Sequence, residues 1–186
     1  MGTWDKIIHD NRFSAKDVLP FENKLFHEGA RRRMYLERFS VLLFLATVIA
    51  TIGVLGDSTA TVIGAMIVAP LMTPIMATAA ALIMGNMRRA INSLILVGAG
   101  VAGVILLSAL MGALYTGVIS FTENAQILGR ISPRLIDLIA ALASGAAGAF
   151  CLSRDDIADS LPGVAISISL VPPLCVVGIS LSAGEI

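Results

Sequence analysis

Two long uncharged runs constrain this chain more than any other feature of its sequence. Between Phe39 and Met87 the only charged side chain is Asp57, and the 33 residues from Ala90 to Thr122 carry none. A soluble domain has roughly 25% charged residues, whereas this chain is 56% apolar and 14% charged. A transmembrane helix needs about 20 apolar residues, so we predict an all-α polytopic transmembrane protein with about five spans. The approximate spans are 39–55, 59–85, 91–119, 135–152 and 161–183.

The charged side chains are concentrated at the amino terminus. Residues 1–38 carry 14 of the 26, and a segment this short cannot bury a core of its own. We predict that residues 1–38 form a polar cytoplasmic or interfacial segment, with Phe21, Leu25 and Phe26 on the apolar face of an amphipathic helix. A solvated tail is the alternative. Residues 39–186 are predicted to form the transmembrane domain.

Basic residues beside the spans predict the orientation in the membrane. If all five spans cross, most of these arginines fall on one side of the membrane and only two fall on the other. The larger group is Arg31, Arg32, Arg33, Arg38, Arg88, Arg89 and Arg154, and the smaller is Arg130 and Arg134. The positive-inside rule therefore predicts a cytoplasmic amino terminus.

An internal repeat appears at an offset of 102 residues. Asp57 and Pro70 in the first copy correspond to Asp159 and Pro172 in the second, with the proline 13 residues after the aspartate in both. Each aspartate is followed by a serine, and each proline is followed by a second proline within four residues. Because each aspartate also follows one span and opens the next, the two copies occupy equivalent places in the topology.

The repeat predicts an inverted architecture. A unit of three spans makes the second copy begin on the opposite side of the membrane, as in transporters built from inverted repeats. Repeat A then covers about 39–119 and repeat B about 135–186. Repeat B contains two visible spans, so we expect a sixth span that this chain lacks.

The paired prolines are expected to break their helices within the membrane. Proline has no N–H and displaces the carbonyl four residues earlier, and the freed groups are tolerated only inside protein or beside a wet cavity. A single proline is most simply a kink, but paired breaks in a repeat are typical of a transporter binding site. The candidate substrate- or ion-binding residues are Asp57, Ser58, Thr61, Pro70, Thr73, Pro74, Asp159, Ser160, Ser167, Ser169, Pro172 and Pro173. For the two aspartates, an N-cap of the following helix is the simpler role.

Glycines in the third predicted span match a nucleotide-binding pattern by coincidence. Gly98, Gly100 and Gly103 satisfy G-x-G-x-x-G, but that pattern requires a strand and an open helix N-terminus. We predict no cofactor and interpret small residues four apart as helix-packing positions, which favours a homo-oligomer. These sets are Ala99/Gly103, Ser108/Gly112, Ala140/Ser144/Gly148 and Ala141/Gly145/Ala149.

Three segments resemble the hallmark segments of domain-of-unknown-function family 389, a family of prokaryotic hydrophobic membrane proteins. They are FHEGARRRMYLERFSVLL, GDSTATVIGAMIVAPLMTPIMA and DSLPGVAISISLVPPLCVVGI, and the resemblance covers about residues 21–186. The resemblance implies a prokaryotic plasma-membrane location. It also implies further apolar sequence beyond the position of Ile186, in agreement with the expected sixth span. It implies no activity, because the family has none assigned.

Two hypotheses of function follow from these patterns. The first is a transporter or channel-like protein for a small polar solute or ion, held where the two broken helices meet. The second is a non-transporting membrane scaffold or sensor. The chain has no H-E-x-x-H or G-x-S-x-G spacing, so we predict neither an enzyme nor a metal site. Its net charge of zero gives no argument for a nucleic-acid partner.

Overall fold

A computed structural model describes residues 22, 25, 26, 30–115, 124–131, 135–152 and 170–184. Every regular element in this part of the chain is an α-helix, which confirms the predicted fold class. The helices are α1 (Ala30–Leu55), α2 (Thr59–Val68), α3 (Met72–Ile83), α4 (Met87–Leu114), α5 (Ala125–Ile131), α6 (Leu135–Leu152) and α7 (Val171–Ala183).

Membrane-spanning helices account for most of this structure. By length and hydropathy α1 (from Arg31), α4 and α6 can each cross a membrane, and α2 and α3 together form a span that is bent by 51°. The 13 residues of α7 rise about 20 Å at 1.5 Å per residue, less than the ~30 Å hydrocarbon core. The residues that would complete the fifth predicted span, 161–169, lie outside the described residues.

The first span begins earlier than its uncharged run. We expected it to start at residue 39, but α1 is helical from Ala30, so Arg31 to Arg33 and Arg38 lie on its first turns. Charged residues can continue a transmembrane helix into the interface because their long side chains reach water. The helix also contains an exposed ion pair between Arg33 and Glu37, at 3.0 Å.

The two ends of the helix bundle differ in charge. Arg32 and Arg89 line the same cavity, so the arginines of α1 and those that open α4 lie at one end, which we call the basic end. Asp57 and α5 lie at the other, the aspartate end, and are hydrogen-bonded to each other. This placement confirms that the two arginine groups share one side.

A crossing of small residues joins α4 to α7. Ser108 and Gly112 of α4 face Gly178 and Ser182 of α7, and a Cβ added at Gly178 would lie 2.5 Å from the Ile105 carbonyl oxygen. Because no side chain separates the two backbones, the helices approach as closely as the backbone allows. The interpretation of Ser108 and Gly112 as packing positions is confirmed.

Of the other predicted packing positions, Gly148 is buried, whereas the rest are exposed or half-buried in the described part of the chain. A Cβ added at Gly103 or Gly145 would have no atom within 4 Å, and residues 135–143 of α6 are exposed. At its other end α6 contacts the bundle, where Leu152 packs with Leu25 and Ala77. The predicted homo-oligomer therefore stays a prediction.

Candidate functional site

The first helix break lies between α2 and α3. Ala69 caps α2 with extended backbone (φ −65°, ψ 122°). Pro70 follows and has no N–H, so the Met66 carbonyl cannot make its i+4 helical hydrogen bond. The chain then turns at Leu71, which is the N-cap of α3. The sequence prediction that prolines interrupt this span is confirmed by the 51° bend.

The second predicted break falls at the start of α7, and residues 153–169 before it lie outside the described residues. We call this start of α7 the second break. Leu170 is the N-cap and offers no side-chain hydrogen bond to the helix, and the first helical bond runs from the Leu174 N–H to the Leu170 carbonyl at 3.2 Å. Pro172 and Pro173 occupy the second and third helical positions and lack the N–H groups that would otherwise be unpaired there. The double proline thus lowers the cost of starting a helix inside the membrane.

The prolines of the two copies can also be aligned by their distance from the N-cap of the helix that follows each break. This alignment pairs Pro74 with Pro173. Pro74 is three residues after its N-cap Leu71, and Pro173 is three residues after its N-cap Leu170. The sequence repeat instead pairs Pro70 with Pro172. Each copy therefore removes the donor at the third helical position, although the copies differ in where the other proline lies.

The two breaks meet in one buried apolar cluster. Leu71 from the first break and Val171 and Cys175 from the start of α7 belong to it, and Val171 and Cys175 have 0% of their surface exposed. The other buried members are Phe39, Leu43, Ala50, Ala65 and Val104. The N-terminal ends of α3 and α7 thus converge inside the bundle, one leading to the basic end and the other to the aspartate end.

Gly100, one glycine of the coincidental nucleotide-binding pattern, leaves space for Leu71 beside α4. A Cβ at Gly100 would lie 3.1 Å from Cδ2 of Leu71, whereas Gly98 and Gly103 have open space around them. All three glycines lie inside α4, so the pattern has neither the strand nor the turn of a dinucleotide site. Gly100 instead lets the break pack against α4.

Polar side chains of α1 also border the meeting point. Thr47 and Thr51 are at most 1% exposed, and each hydroxyl donates to the carbonyl four residues earlier, at 2.7 Å in both. The Cys175 thiol lies 4.0 Å from the Thr47 carbonyl oxygen. Both hydroxyls are thus hydrogen-bonded within α1. They are polar side chains of α1 that lie close to the start of α7.

A cavity of about 310 Å³ leads from the basic end toward the first break. Arg32 and Arg89 line its outer part, with Asn92 and Ser93 beside them on α4. Its inner part reaches Pro74 on α3. On α4 its lining extends from Arg89 to Ala99, about 15 Å of helix. The polar and basic groups of this lining end at Ser93, and the deeper part is apolar, with Ile95, Leu96 and Ala99 on α4.

Residues of the amino-terminal segment lie over this cavity. The Phe26 N–H donates to the Glu22 carbonyl at 2.8 Å, which is one helical turn, and Leu25 is buried against Ala77 of α3. The Glu22 carboxylate lies 3.4 Å from the Arg89 guanidinium. The predicted apolar face, Leu25 with Phe26, therefore packs onto the bundle itself.

Hydrogen bonds join α5 to the α1–α2 turn at the aspartate end. We call the residues that make them the latch: Asp57, Thr59, Asn124, Gln126 and Arg130. The Asn124 side chain donates to the Val54 carbonyl at 2.7 Å and accepts from the N–H groups of Gln126 and Ile127. The Asp57 carboxylate accepts from the Gln126 N–H at 3.1 Å. An acidic group at a helix N-terminus is favourable, so Asp57 stabilises the start of α5.

Asp57 does not cap the helix that it precedes in sequence. The N-cap of α2 is Ser58, whose hydroxyl accepts from the Thr61 N–H and lies 2.9 Å from the Thr61 hydroxyl. Asp57 has a left-handed backbone (φ 47°), which turns its side chain away from α2 and toward Gln126. The simpler prediction for Asp57, a cap on α2, is therefore wrong, and Ser58 takes that role.

Arg130 belongs to the same latch. Its guanidinium donates to the Gln126 carbonyl and, at 3.1 Å, to the Gln126 side-chain oxygen. Burial lowers the pKa of Arg130 from its usual value. The Gln126 amide in turn donates to the Thr59 hydroxyl at 2.7 Å. The polar groups of this end are thus used in tying α5 to the α1–α2 turn.

The predicted site residues fall into three groups. Those near the breaks are Pro70, Thr73, Pro74, Pro172 and Pro173. Asp57, Ser58 and Thr61 lie at the aspartate end. The ten residues of α2 separate Asp57 and Ser58 from the first break by about 15 Å, and Thr61 lies on the first turn of α2. Asp159, Ser160, Ser167 and Ser169 lie outside the described residues.

Sequence reasoning missed the residues that line the cavity. Arg32 and Arg89 served only to predict orientation, and Asn92 and Ser93 stand alone in an apolar run. The spacing of Arg89, Asn92 and Ser93 places them on one helix face, which was the available signal. That Arg32 faces the same space depends on how α1 packs on α4, and local sequence contains no such information.

Comparison with known proteins gives a family but no activity. Residues 66–186 match the sequence model of a family described as a domain of unknown function, DUF389. An uncharacterised protein of Methanocaldococcus jannaschii is 34% identical over 146 residues, which are 78% of this chain and 44% of that protein. The chain thus spans less than half the length of this relative. No solved structure matches the chain.

Proposed function

The chain belongs to the DUF389 family, and from that premise we propose that it transports a small polar solute or ion across a prokaryotic plasma membrane. The observation that carries the proposal is the cavity that leads from Arg32 and Arg89 to Pro74. Pro74 opens α3 at the place where the two proline breaks share a cluster. A cavity with a basic and polar mouth that reaches a broken helix is an arrangement expected of a solute site inside a membrane protein.

The inverted repeat supports the same proposal. The start of α3 and the start of α7 converge, and each helix leaves the meeting point toward a different end of the bundle. Breaks of this kind are tolerated where protein or a wet cavity surrounds them. We further propose that the basic end is cytoplasmic, because six arginines of α1 and α4 lie on that side among the described residues.

A non-transporting scaffold or sensor is the second candidate, and one observation favours it. Val171 and Cys175 are fully buried, so the second break is tightly packed among the described residues. A transporter closed at this point would look the same. The open small-residue positions, Gly103 and Gly145, support helix association in either case and fit the proposed homo-oligomer.

Solute flux into proteoliposomes tests the transport proposal. The panel covers inorganic anions, small carboxylates, alkali cations and neutral amino acids. We expect flux for one class, reduced at least tenfold by Pro70→Ala, which restores a helical donor to the first break, an effect of about 1.4 kcal/mol or more. Gly64→Ala is the matched control on α2, because a Cβ there meets no atom within 4 Å.

Two further variants ask whether the predicted aspartates contribute. Asp57→Asn keeps an oxygen for the Gln126 N–H, so a loss of flux would report the charge and not the latch. Asp159→Asn does the same for the second repeat. Absence of flux across the whole panel for the wild-type chain would contradict transport and favour the scaffold.

A further inference from the structure

Four of the residues that line the cavity at the basic end carry groups that bind negative charge. Arg32 and Arg89 supply two guanidinium groups, and Asn92 and Ser93 supply neutral donors on the same wall. None of the described residues that line the cavity is acidic. Arginine presents several N–H groups in a planar fork that matches the oxygens of a carboxylate or a phosphate. The composition of the wall therefore suits an oxyanion.

Among the described residues, a carboxylate of the chain itself contacts this wall. The Glu22 carboxylate lies 3.4 Å from Nη1 of Arg89, although the two residues are 67 positions apart. Their side chains are 31% and 29% exposed, so the pair is half-buried. A carboxylate thus fits beside Arg89, at the mouth of the cavity.

The surroundings of Arg89 orient its guanidinium. The Phe26 ring lies 4.8 Å from the guanidinium carbon and covers one face, so the guanidinium hydrogen bonds are made in the plane of the fork. Arg89 is the third residue of α4, a helix of 28 residues whose N-cap is Asn86. The positive end of the helix dipole adds to the attraction for an anion.

We propose that this cavity is a binding site for a phosphate or carboxylate group, that Arg89 is its main ligand, and that Glu22 is an internal competitor. Binding of an external oxyanion displaces the Glu22 carboxylate from Arg89. That the cavity is the entry site for a transported anion rests on the proposed function. That the cavity binds an oxyanion does not depend on transport.

Equilibrium binding to the purified chain in a neutral maltoside detergent tests the site. Calorimetric titration with inorganic phosphate and with acetate measures the affinity. We expect Glu22→Gln to bind roughly fivefold more tightly than wild type, the effect of removing one half-exposed ion pair. We expect Arg89→Gln to lose binding and Arg89→Lys to retain part of it, since lysine keeps the charge without the fork.

The exposed Arg33–Glu37 pair provides matched controls. It has the same charges at the same end of the bundle, with side chains 89% and 62% exposed. Glu37→Gln and Arg33→Gln remove the same charges without touching the cavity, so neither changes the affinity. Because Glu22→Gln is expected to gain affinity, a folding defect cannot imitate its result.

A second arm separates the two sources of the oxyanion. Nanodiscs of phosphatidylcholine with and without phosphatidylglycerol replace the detergent, and Arg89→Gln is compared with wild type in each. Retention of phosphatidylglycerol through Arg89, without binding of free phosphate or acetate, supports the site and assigns it to a lipid headgroup. Binding of the free ions assigns it to a soluble anion.

Three results would overturn the proposal. They are no binding of either source by wild type and Glu22→Gln, equal affinities for wild type and Glu22→Gln, or full binding by Arg89→Gln. The flux panel keeps the two proposals apart. Oxyanion binding without flux removes only the transport proposal, whereas flux of a cation or a neutral solute without oxyanion binding removes only this one.

Discussion

Gly178→Ala is the sharpest perturbation that the α4–α7 crossing offers. The added Cβ would lie 2.5 Å from the Ile105 carbonyl oxygen and 2.9 Å from the Ala109 nitrogen, and it would also meet the Ser108 hydroxyl. Two of these atoms belong to the α4 backbone and cannot rotate away. Restoring an ordinary contact of about 3.4 Å to the carbonyl oxygen requires the helices to separate by roughly 0.9 Å.

The expected cost follows from two opposing terms. Overpacking by one methyl group typically costs about 1–3 kcal/mol, and a rigid backbone neighbour favours the upper value. Replacing glycine by alanine in a helix returns up to about 1 kcal/mol. We therefore expect Gly178→Ala to lower the free energy of unfolding by about 2 kcal/mol, or the Tm by about 4–8 °C for a chain of this length.

Thermal unfolding in maltoside micelles, followed by circular dichroism, measures this change. Gly103→Ala on α4 is the control, because its Cβ would meet no atom within 4 Å and only the propensity gain remains. Ser108→Gly combined with Gly178→Ala should recover part of the loss, since the Ile105 carbonyl still blocks the methyl group. A Gly178→Ala chain as stable as the Gly103→Ala chain would refute the proposed crossing.

Three other predictions concern burial and hydrogen bonding. Asn124→Ala should lower the unfolding free energy by about 1–2 kcal/mol, because it removes a helix cap and the shorter of two hydrogen bonds to the Val54 carbonyl, which keeps the Asp57 N–H at 3.2 Å; denaturant titration measures this. Asp57→Val should cost about 1–2 kcal/mol more than Asp57→Asn in the same titration, since a β-branched residue is strained at φ 47°. Cys151 and Cys175 are buried and should react with a maleimide only after unfolding; rapid labelling of Cys175 in the folded chain would contradict its place in the core.

Local sequence determined the helices and their interruptions. The uncharged runs required transmembrane helices, because only a helix satisfies its backbone hydrogen bonds within hydrocarbon. The prolines required breaks near residues 70 and 172, because a proline removes a specific donor wherever it stands. Ser108 and Gly112 required a close helix crossing. Each of these inferences uses a property that one residue or one short run possesses by itself.

The candidate site was only partly predictable. The prolines near both breaks were found from the repeat, but Thr47, Thr51 and Cys175 were not, because their place beside the second break depends on how α1 faces α7. The role of Asp57 was predicted from its neighbours in sequence. Its hydrogen-bond partner Gln126 is 69 positions away, and the left-handed turn that aims the carboxylate toward it cannot be inferred from an N-cap rule.

The sequence by itself determined that this chain is an all-α membrane protein with a broken, repeated span, since hydrophobicity and backbone chemistry act locally. Only the tertiary structure decided which groups meet. It placed both breaks in one cluster, brought Arg32 and Arg89 to one cavity, and set Glu22 against Arg89. Inside a membrane, partner choice depends on close packing between helices, which no single span encodes.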